Sequence, residues 1–465
     1  IRDRPPSAQG DHGIPFPVCA DGLLGSRRSD RALEAAMPTV ELLYGKGVKR
    51  AYIDDRLSPR VLCPQRLPVK HDIAAEIRQA LDAPIGPPPL ETLARGRKNA
   101  VILVCDLTRD VPDHVIVPML LDRLNRAGIA DDRVTMIVAG GVHRLITEAE
   151  AKERFGEEVL SRVRLVNHNA SDEGSLAFIG TSSFGTDIFI NRLVVENDLV
   201  IGTGCIIPHV IAGYGGGRKI VLPGVAGERT TAANHSLANR DGVGFCRLQG
   251  NVVHEEMLEA ARMARLEFIV NVVWNGEGEL VKAVAGDMEA AWLKGVEVAA
   301  YMYTCPVDSP CDLFITSGGG SPSDVNFYQA VRGMQVGLPI VRRGGAIVLV
   351  AECTEGVGSE YLYSWLREAS VPDAVTKRLS EEGFGVRGEH VAAFLCERIF
   401  PYVKVFLVSS LPPRQVEDMM MIPASTVEEA VELAMDYLAK RTPSVIVNPY
   451  GAKVVPVLKG GCYVG

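Results

Sequence analysis

At 465 residues, 47% of them hydrophobic and 23% charged, the chain has the composition of a soluble globular protein and length enough for two or three domains. A net charge of -8 argues against a nucleic-acid partner, which needs a basic face, and no run approaches the ~20 apolar residues of a membrane span. The ten cysteines are scattered with no C-x-x-C pair, which excludes zinc-finger and thioredoxin spacings and fits reduced thiols in a cytoplasm; no secretory leader is recognisable.

Residues 1–38 are rich in Arg, Asp, Gly and Pro, lack periodicity and read as a poorly ordered extension. "VELLYGKG" (40–47) is expected to open the folded body as its first strand, and "DAPIGPPPLETLARGRK" (82–98) carries the punctuation of a connector. "AVILVCD" (100–106) is a continuous apolar run, the pattern of a strand buried on both faces, and "PDHVIVPMLLDRLNRAG" (112–128) follows at helical spacing. "RVTMIVAGG" (133–141) predicts another strand, "TEAEAKERFGEEVLSRV" (147–163) another helix, and "LVVENDLVIGTG" (193–204) further strand. A second series begins after "FIVNVVWNGEGEL" (268–280). Its strands are "DLFITSGGG" (312–320), "GAIVLVAEC" (345–353) and "YVKVFLVSS" (402–410), with helices between them that include "TVEEAVELAMDYLAKR" (426–441). This alternation predicts two α/β domains with doubly wound parallel sheets, 39–275 and 276–465. Ligands in such sheets sit beyond the carboxyl ends of the strands, where the polar motifs fall here.

The densest motif is "HVIAGYGGGRKIVLPG" (209–224). As a Walker A loop it fails twice, because Arg218 separates Gly217 from Lys219 and Ile220 stands where magnesium needs a hydroxyl. Gly213, Gly215, Gly216 and Gly217 still permit close backbone approach to an anion, with a tight turn as the equal alternative. His143, His209 and His235 each stand in a polar, glycine-flanked or small-residue setting after a strand; a lone histidine is more often structural than a ligand. No pair of them has zinc spacing, and "VHEEML" (253–258) lacks its second histidine, so His254 reads as structural. Asp106 and Arg109 share the turn after the 100–106 strand, where an Asp–Arg pair can hold an anionic ligand or serve as a cap and a solvated cation. Tyr328, Gln329 and Arg332 share one helix face.

In this order, "DLTR-x-VP-x-H", "GG-x-HR", "H-x-x-AGYGGGRK-x-x-LPG", "ANHS" and "N-x-YQAV[KR]GM" make the chain resemble the nickel-dependent lactate racemase family from about Val40 to its C-terminus. The resemblance implies two Rossmann-like α/β domains with the active site in the cleft between them. It also implies an isomerase, a racemase or epimerase of a 2-hydroxy acid. The implied cofactor is a nickel-pincer nucleotide, a pyridinium-3-thioamide-5-thiocarboxylic acid mononucleotide, supplied by cofactor-assembly proteins. By the same resemblance Lys219 is the covalent tether and Gly215, Gly216 and Gly217 wrap the nucleotide. His235 is the nickel ligand, while His143 and His209 are a pair of bases, one for each enantiomer. Arg109 would hold the substrate carboxylate with Asp106 orienting it, Gln329 and Arg332 would line the pocket, and Tyr328 would pack beside the cofactor. The implied chemistry removes hydride from Cα, through a planar 2-keto acid.

Three positions depart from the lactate-specific members of the family. Arg332 stands in place of lysine, Asp110 in place of proline, and His390-Val391 where a tryptophan is expected. Arginine and lysine are not interchangeable at a carboxylate, and a missing indole leaves a wider or more polar pocket, so a larger or more functionalised hydroxy acid is expected. Two other functions compete. A catalytically inactive hydroxy-acid or nucleotide-binding regulator would have lost the bases and tether that remain here. An NAD-linked dehydrogenase would need a dinucleotide fingerprint that is absent.

Overall fold

The computed structural model describes residues 39–369, 371–382, 388–440 and 442–459; the expected extension at 1–38 lies outside them. Two six-stranded sheets organise the chain. In the first, Arg164–Asn167, Val134–Ala139, Ala100–Cys105, Leu199–Cys205 and Leu266–Trp274 run parallel in that spatial order, and Leu280–Gly286 closes the edge antiparallel. The strand Ala100–Cys105 is buried on both faces from Ala100 to Val104, as its unbroken apolar run requires in a sheet covered by helices on each side. The second sheet is wholly parallel, in the order Ile422–Ala424, Val403–Val408, Val341–Val350, Cys311–Ser317, Val445–Asn448 and Arg60–Val61.

The α/β architecture with two parallel sheets is the expected one, and sheet membership differs from the expected division at both ends. The first sheet runs past residue 275, because Leu280–Gly286 folds back on Leu266–Trp274 in an antiparallel ladder. At the start, "VELLYGKG" is a hairpin rather than one strand, Thr39–Tyr44 paired with Gly47–Tyr52 across a turn at Gly45. This hairpin packs on the second sheet, with the Leu43 N–H donating to the Pro449 carbonyl at 3.1 Å. Arg60–Val61 then joins that sheet outright. Within "LVVENDLVIGTG" only Leu199–Cys205 is strand; Arg192–Val195 is a helical turn capped by the Asn191 side chain. Cysteine chemistry is corrected at one place: Cys63 is disulfide-bonded, while Cys105, Cys205, Cys246, Cys305, Cys311, Cys353 and Cys396 are free thiols. Among the described residues no helix is long and apolar enough to cross a membrane.

In the first sheet the chain adds strands outward from Ala100–Cys105 in one direction and then returns to add Leu199–Cys205 on its other side. The order therefore reverses between these two neighbours, and the loops beyond their carboxyl ends splay apart to leave a crevice. Cys311–Ser317 occupies the equivalent place in the second sheet, between Val341–Val350 and Val445–Asn448. Loops from both reversal points line a cavity of about 820 Å³.

Candidate active site

Every expected site residue except Gly215 and Gly217 lines this cavity. Asp106 and Arg109 follow the strand Ala100–Cys105, and His143 follows Val134–Ala139. The short ladder Pro208–His209 with Gly213–Tyr214 presents His209, and the 3-10 turn Gly217–Ile220 presents Lys219. His235 stands near the end of helix Glu228–Ser236. The second sheet contributes Tyr328 and Gln329 from the turn Phe327–Ala330, which starts where the Asn326 carboxamide accepts the Gln329 N–H at 3.0 Å, and Arg332 from the turn Arg332–Gln335.

Asp106 orients a histidine and not the arginine, contrary to the expected pairing. Its Oδ2 lies 2.6 Å from His143 Nδ1, while Oδ1 accepts from the Thr108 hydroxyl and N–H at 2.6 and 3.1 Å. Burial works to raise the Asp106 pKa, but the bonds from His143 and Thr108 outweigh it and hold the carboxyl below its usual range. An ionised carboxylate at Nδ1 keeps the ring proton there and leaves Nε2 with its lone pair, the tautomer of a base. The loop bearing His143 is fixed on both sides. Gly141, at φ +57°, donates to the Gly224 carbonyl at 2.9 Å, and the capping box of Thr147 and Glu150 starts the next helix, with Arg144 on Glu150. The Arg109 guanidinium donates instead to the Thr108 carbonyl at 2.8 Å.

His209 has the opposite tautomer. The N–H groups of Ile211 and Ala212 donate to its Nδ1 at 3.4 and 3.2 Å, which puts the proton of the neutral ring on Nε2, 3.3 Å from Lys219 Nζ. Burial first, then Lys219, Arg109, His235 and Arg332, push the His209 pKa well down; burial, Arg109 and Arg218 do the same to Lys219. An imidazole N–H facing a neutral amine would satisfy both groups. For His209 to accept a proton at Nε2, its ring proton must leave that nitrogen, at the expense of the two backbone contacts.

The glycines of the loop have a packing role. Gly215 and Gly217 are buried away from the cavity, and only Gly216 lines it. Their N–H groups are already used, Gly215 on the Ile207 carbonyl at 2.8 Å and Gly217 on Asn271 Oδ1 at 2.7 Å. A Cβ at Gly217 (φ +53°) would lie 2.7 Å from Trp292, and one at Gly216 (φ +73°) 2.6 Å from Asn271. The loop needs glycine at 216 and 217 because it is pressed onto Asn271 and Trp292.

Arg218 explains the residue that broke the Walker pattern. It is fully buried, lies 3.9 Å over the Trp292 ring, and donates to the carbonyls of Ala212 and Tyr214 and to His254 Nδ1 at 3.0 Å. It staples the loop from inside, which aims Lys219 outward into the cleft. His254 is structural, as expected, and accepts from a cation, so it must stay neutral; burial, then Arg218 and Arg262, push its pKa down to about 3. A folded pKa below the unfolded value of about 6.5 means that the unfolded chain takes up the proton first. Stability gained from this site is therefore complete above pH 6.5 and falls as pH drops toward 3. We expect denaturant midpoints to decline across that window, and His254→Asn to flatten the decline; an unchanged slope would show that His254 does not set it.

Sequence reasoning did not single out Thr231 and Gln335, which line the cavity, or Asn271, which holds the glycine loop from behind through distant packing. It noted His390 only as a replacement, and the structure sets its Nε2 3.3 Å from the Tyr328 hydroxyl in the cleft wall. His235 Nδ1 is buried without a hydrogen-bond partner, and burial, then Lys219 and His390, lower the ring pKa to about 3. A neutral imidazole is the form that binds a metal. Among the described residues no three His, Cys, Asp or Glu side chains cluster as a metal site. The donor set therefore fits a metal that brings its other ligands with it, with His235 as the protein ligand and Lys219 as the nearby amine.

The model of the lactate racemase N-terminal domain matches residues 44–243, and that of the lactate racemase C-terminal domain matches 307–456. The chain is 36% identical over 429 residues to a lactate racemase of Thermoanaerobacterium thermosaccharolyticum, covering 90% of this chain and 99% of that protein. It is also 36% identical over 404 residues to one from Lactiplantibacillus plantarum, covering 86% and 95%. The structure of the T. thermosaccharolyticum lactate racemase apoprotein superposes with a TM-score of 0.83 at 35% identity, over 90% of this chain and all of that one. A Thermotoga maritima protein shares the fold alone, with a TM-score of 0.60 at 20% identity over 83% of this chain and 98% of that one. With both domain models matched and these relatives aligned almost end to end, the chain belongs to the lactate racemase family of isomerases.

Proposed function

We propose that the protein is a racemase or epimerase of a 2-hydroxy acid that uses a nickel-pincer nucleotide, tethered at Lys219 and ligated through His235. The observation that carries this reading is the convergence, in one cleft, of two histidines of opposite tautomer with a lysine amine whose pKa burial and neighbouring cations push well down. When bound, the cofactor supplies a two-electron acceptor for the Cα hydride and returns it. Arg109 binds the substrate carboxylate through the guanidinium nitrogens not engaged by Thr108. His143 Nε2 takes the hydroxyl proton, and the Asp106 carboxylate offsets the charge that appears on the ring. The resulting 2-keto acid is planar at C2, so re-reduction from the opposite face inverts the centre. His209 serves the hydroxyl on that side once Lys219 no longer accepts from its Nε2. We further propose that cofactor-assembly proteins load the chain in the cytoplasm.

Racemisation of a 2-hydroxy acid in deuterium oxide tests the reaction type. Hydride removal and return keep the Cα hydrogen, so the product is expected to carry no solvent deuterium at Cα while its optical rotation decays. Wash-in of deuterium at the rate of racemisation would show direct proton abstraction. Binding of the acid without turnover at full nickel occupancy would favour a regulator.

A further inference from the structure

Arg109 and Arg332 approach the cleft from opposite sheets, closely enough that each cation depresses the Arg332 or His209 pKa. Burial and then Arg109 lower the Arg332 pKa to about 10. Neither guanidinium forms an ion pair with any described carboxylate. Arg109 donates to Thr108, and Arg332 spends its Nε on the Gln329 carbonyl at 3.2 Å, which leaves its terminal nitrogens for the cavity. The one carboxylate among the cavity-lining residues, Asp106, is committed to His143 and Thr108. Two guanidinium groups lining one cavity with no carboxylate paired to either form an arrangement that a ligand with two negative groups would complement.

A second, independent feature lies on the same wall. Gln335, one helical turn after Arg332, is 7% exposed, lines the cavity, and its Oε1 is buried without a hydrogen-bond partner. A buried amide left unmatched is destabilising, and a primary amide offers both a donor and an acceptor. The same wall also carries Gln329, and Tyr328 with its hydroxyl against His390, beside the apolar Val325, Val331 and Phe394.

We propose that the substrate is a 2-hydroxy acid bearing a second carboxylate, its C1 carboxylate on Arg109 and the distal one on Arg332, with Gln335 completing the distal site. This inference rests on the 2-hydroxy acid reading above and narrows it. Guanidinium gives a carboxylate a two-pronged contact that a lysine cannot, so arginine at 332 suits a dedicated distal anion.

The test has two readouts. In the nickel-loaded enzyme, kcat/KM for malate, tartrate or 2-hydroxyglutarate is expected to exceed that for lactate at least tenfold. Arg332→Leu should lower the dicarboxylate value by about tenfold to a hundredfold, the scale of one lost charged hydrogen-bonding partner, and the lactate value much less. Equal loss for both substrates would place Arg332 on the single C1 carboxylate and overturn the proposal. In the nickel-free chain, calorimetric titration with malonate should show tighter binding than acetate, weakened by Arg332→Leu and by Gln335→Leu. Inorganic phosphate binding more tightly than malonate, and lost in the same variants, would assign the site to the nucleotide phosphate and overturn it. Preserved malonate preference without turnover of any hydroxy acid would instead sink the racemase reading and leave the dianion site standing.

Discussion

Replacing His143 with alanine is expected to reduce turnover by about 10²–10⁴-fold, the usual worth of a positioned general base, while nickel content stays at the parental level. The geometry makes His143 the more exposed of the two bases to this test. Its side chain is about half exposed, and its orientation depends on the single 2.6 Å contact to Asp106. Asp106→Asn is expected to cost nearly as much, because a neutral amide neither enforces the Nδ1–H tautomer nor stabilises the charged ring. A folded Asp106→Asn enzyme with parental activity would overturn the assignment. His209→Ala, by contrast, should impair the two enantiomers unequally, because the ring is set at rest to donate toward Lys219 and not to accept.

The second large effect concerns retention of the cofactor. His235→Ala is expected to yield protein without nickel by elemental analysis, because among the described residues no cluster of other ligating side chains could take over. Lys219→Met keeps the length of the side chain and removes the amine. Intact mass should then show no covalent adduct after exposure to the assembly proteins, while the parent gains one. The melting temperature gives a control that separates loss of the tether from loss of the fold. An amine among Arg109, Arg218 and a desolvating wall is destabilising, so Lys219→Met should melt no lower than the parent. An adduct persisting in Lys219→Met would refute the tether.

Periodicity and punctuation carried the α/β class, because a strand buried on both faces must be apolar throughout and a crossover helix must be apolar on one side. That is why "AVILVCD" and "RVTMIVAGG" are legible, and why the loops after them are the expected places for Asp106, Arg109 and His143. The motifs likewise sufficed to assemble His209, Lys219, His235, Tyr328, Gln329 and Arg332 as one site, and all six line one cavity. What each residue touches was another matter. Asp106 and Arg109 are three apart in sequence, yet Asp106 bonds a histidine 37 residues away, since neighbouring strand ends bring Gly140 and His143 beside it. The glycines at 215 and 217 were ambiguous between ligand and turn. They proved to be matched to Trp292 and Asn271, partners separated from them by 54 residues or more, whose approach no local pattern encodes. Sheet membership of Arg60–Val61 was also decided by long-range pairing, with Val445–Asn448. Sequence by itself determined the α/β class and marked the polar side chains that gather in one cavity, because periodicity and motifs are local. Only tertiary structure decided their tautomers, charge states and partners, because these depend on burial and on contacts between strands that the chain brings together from afar.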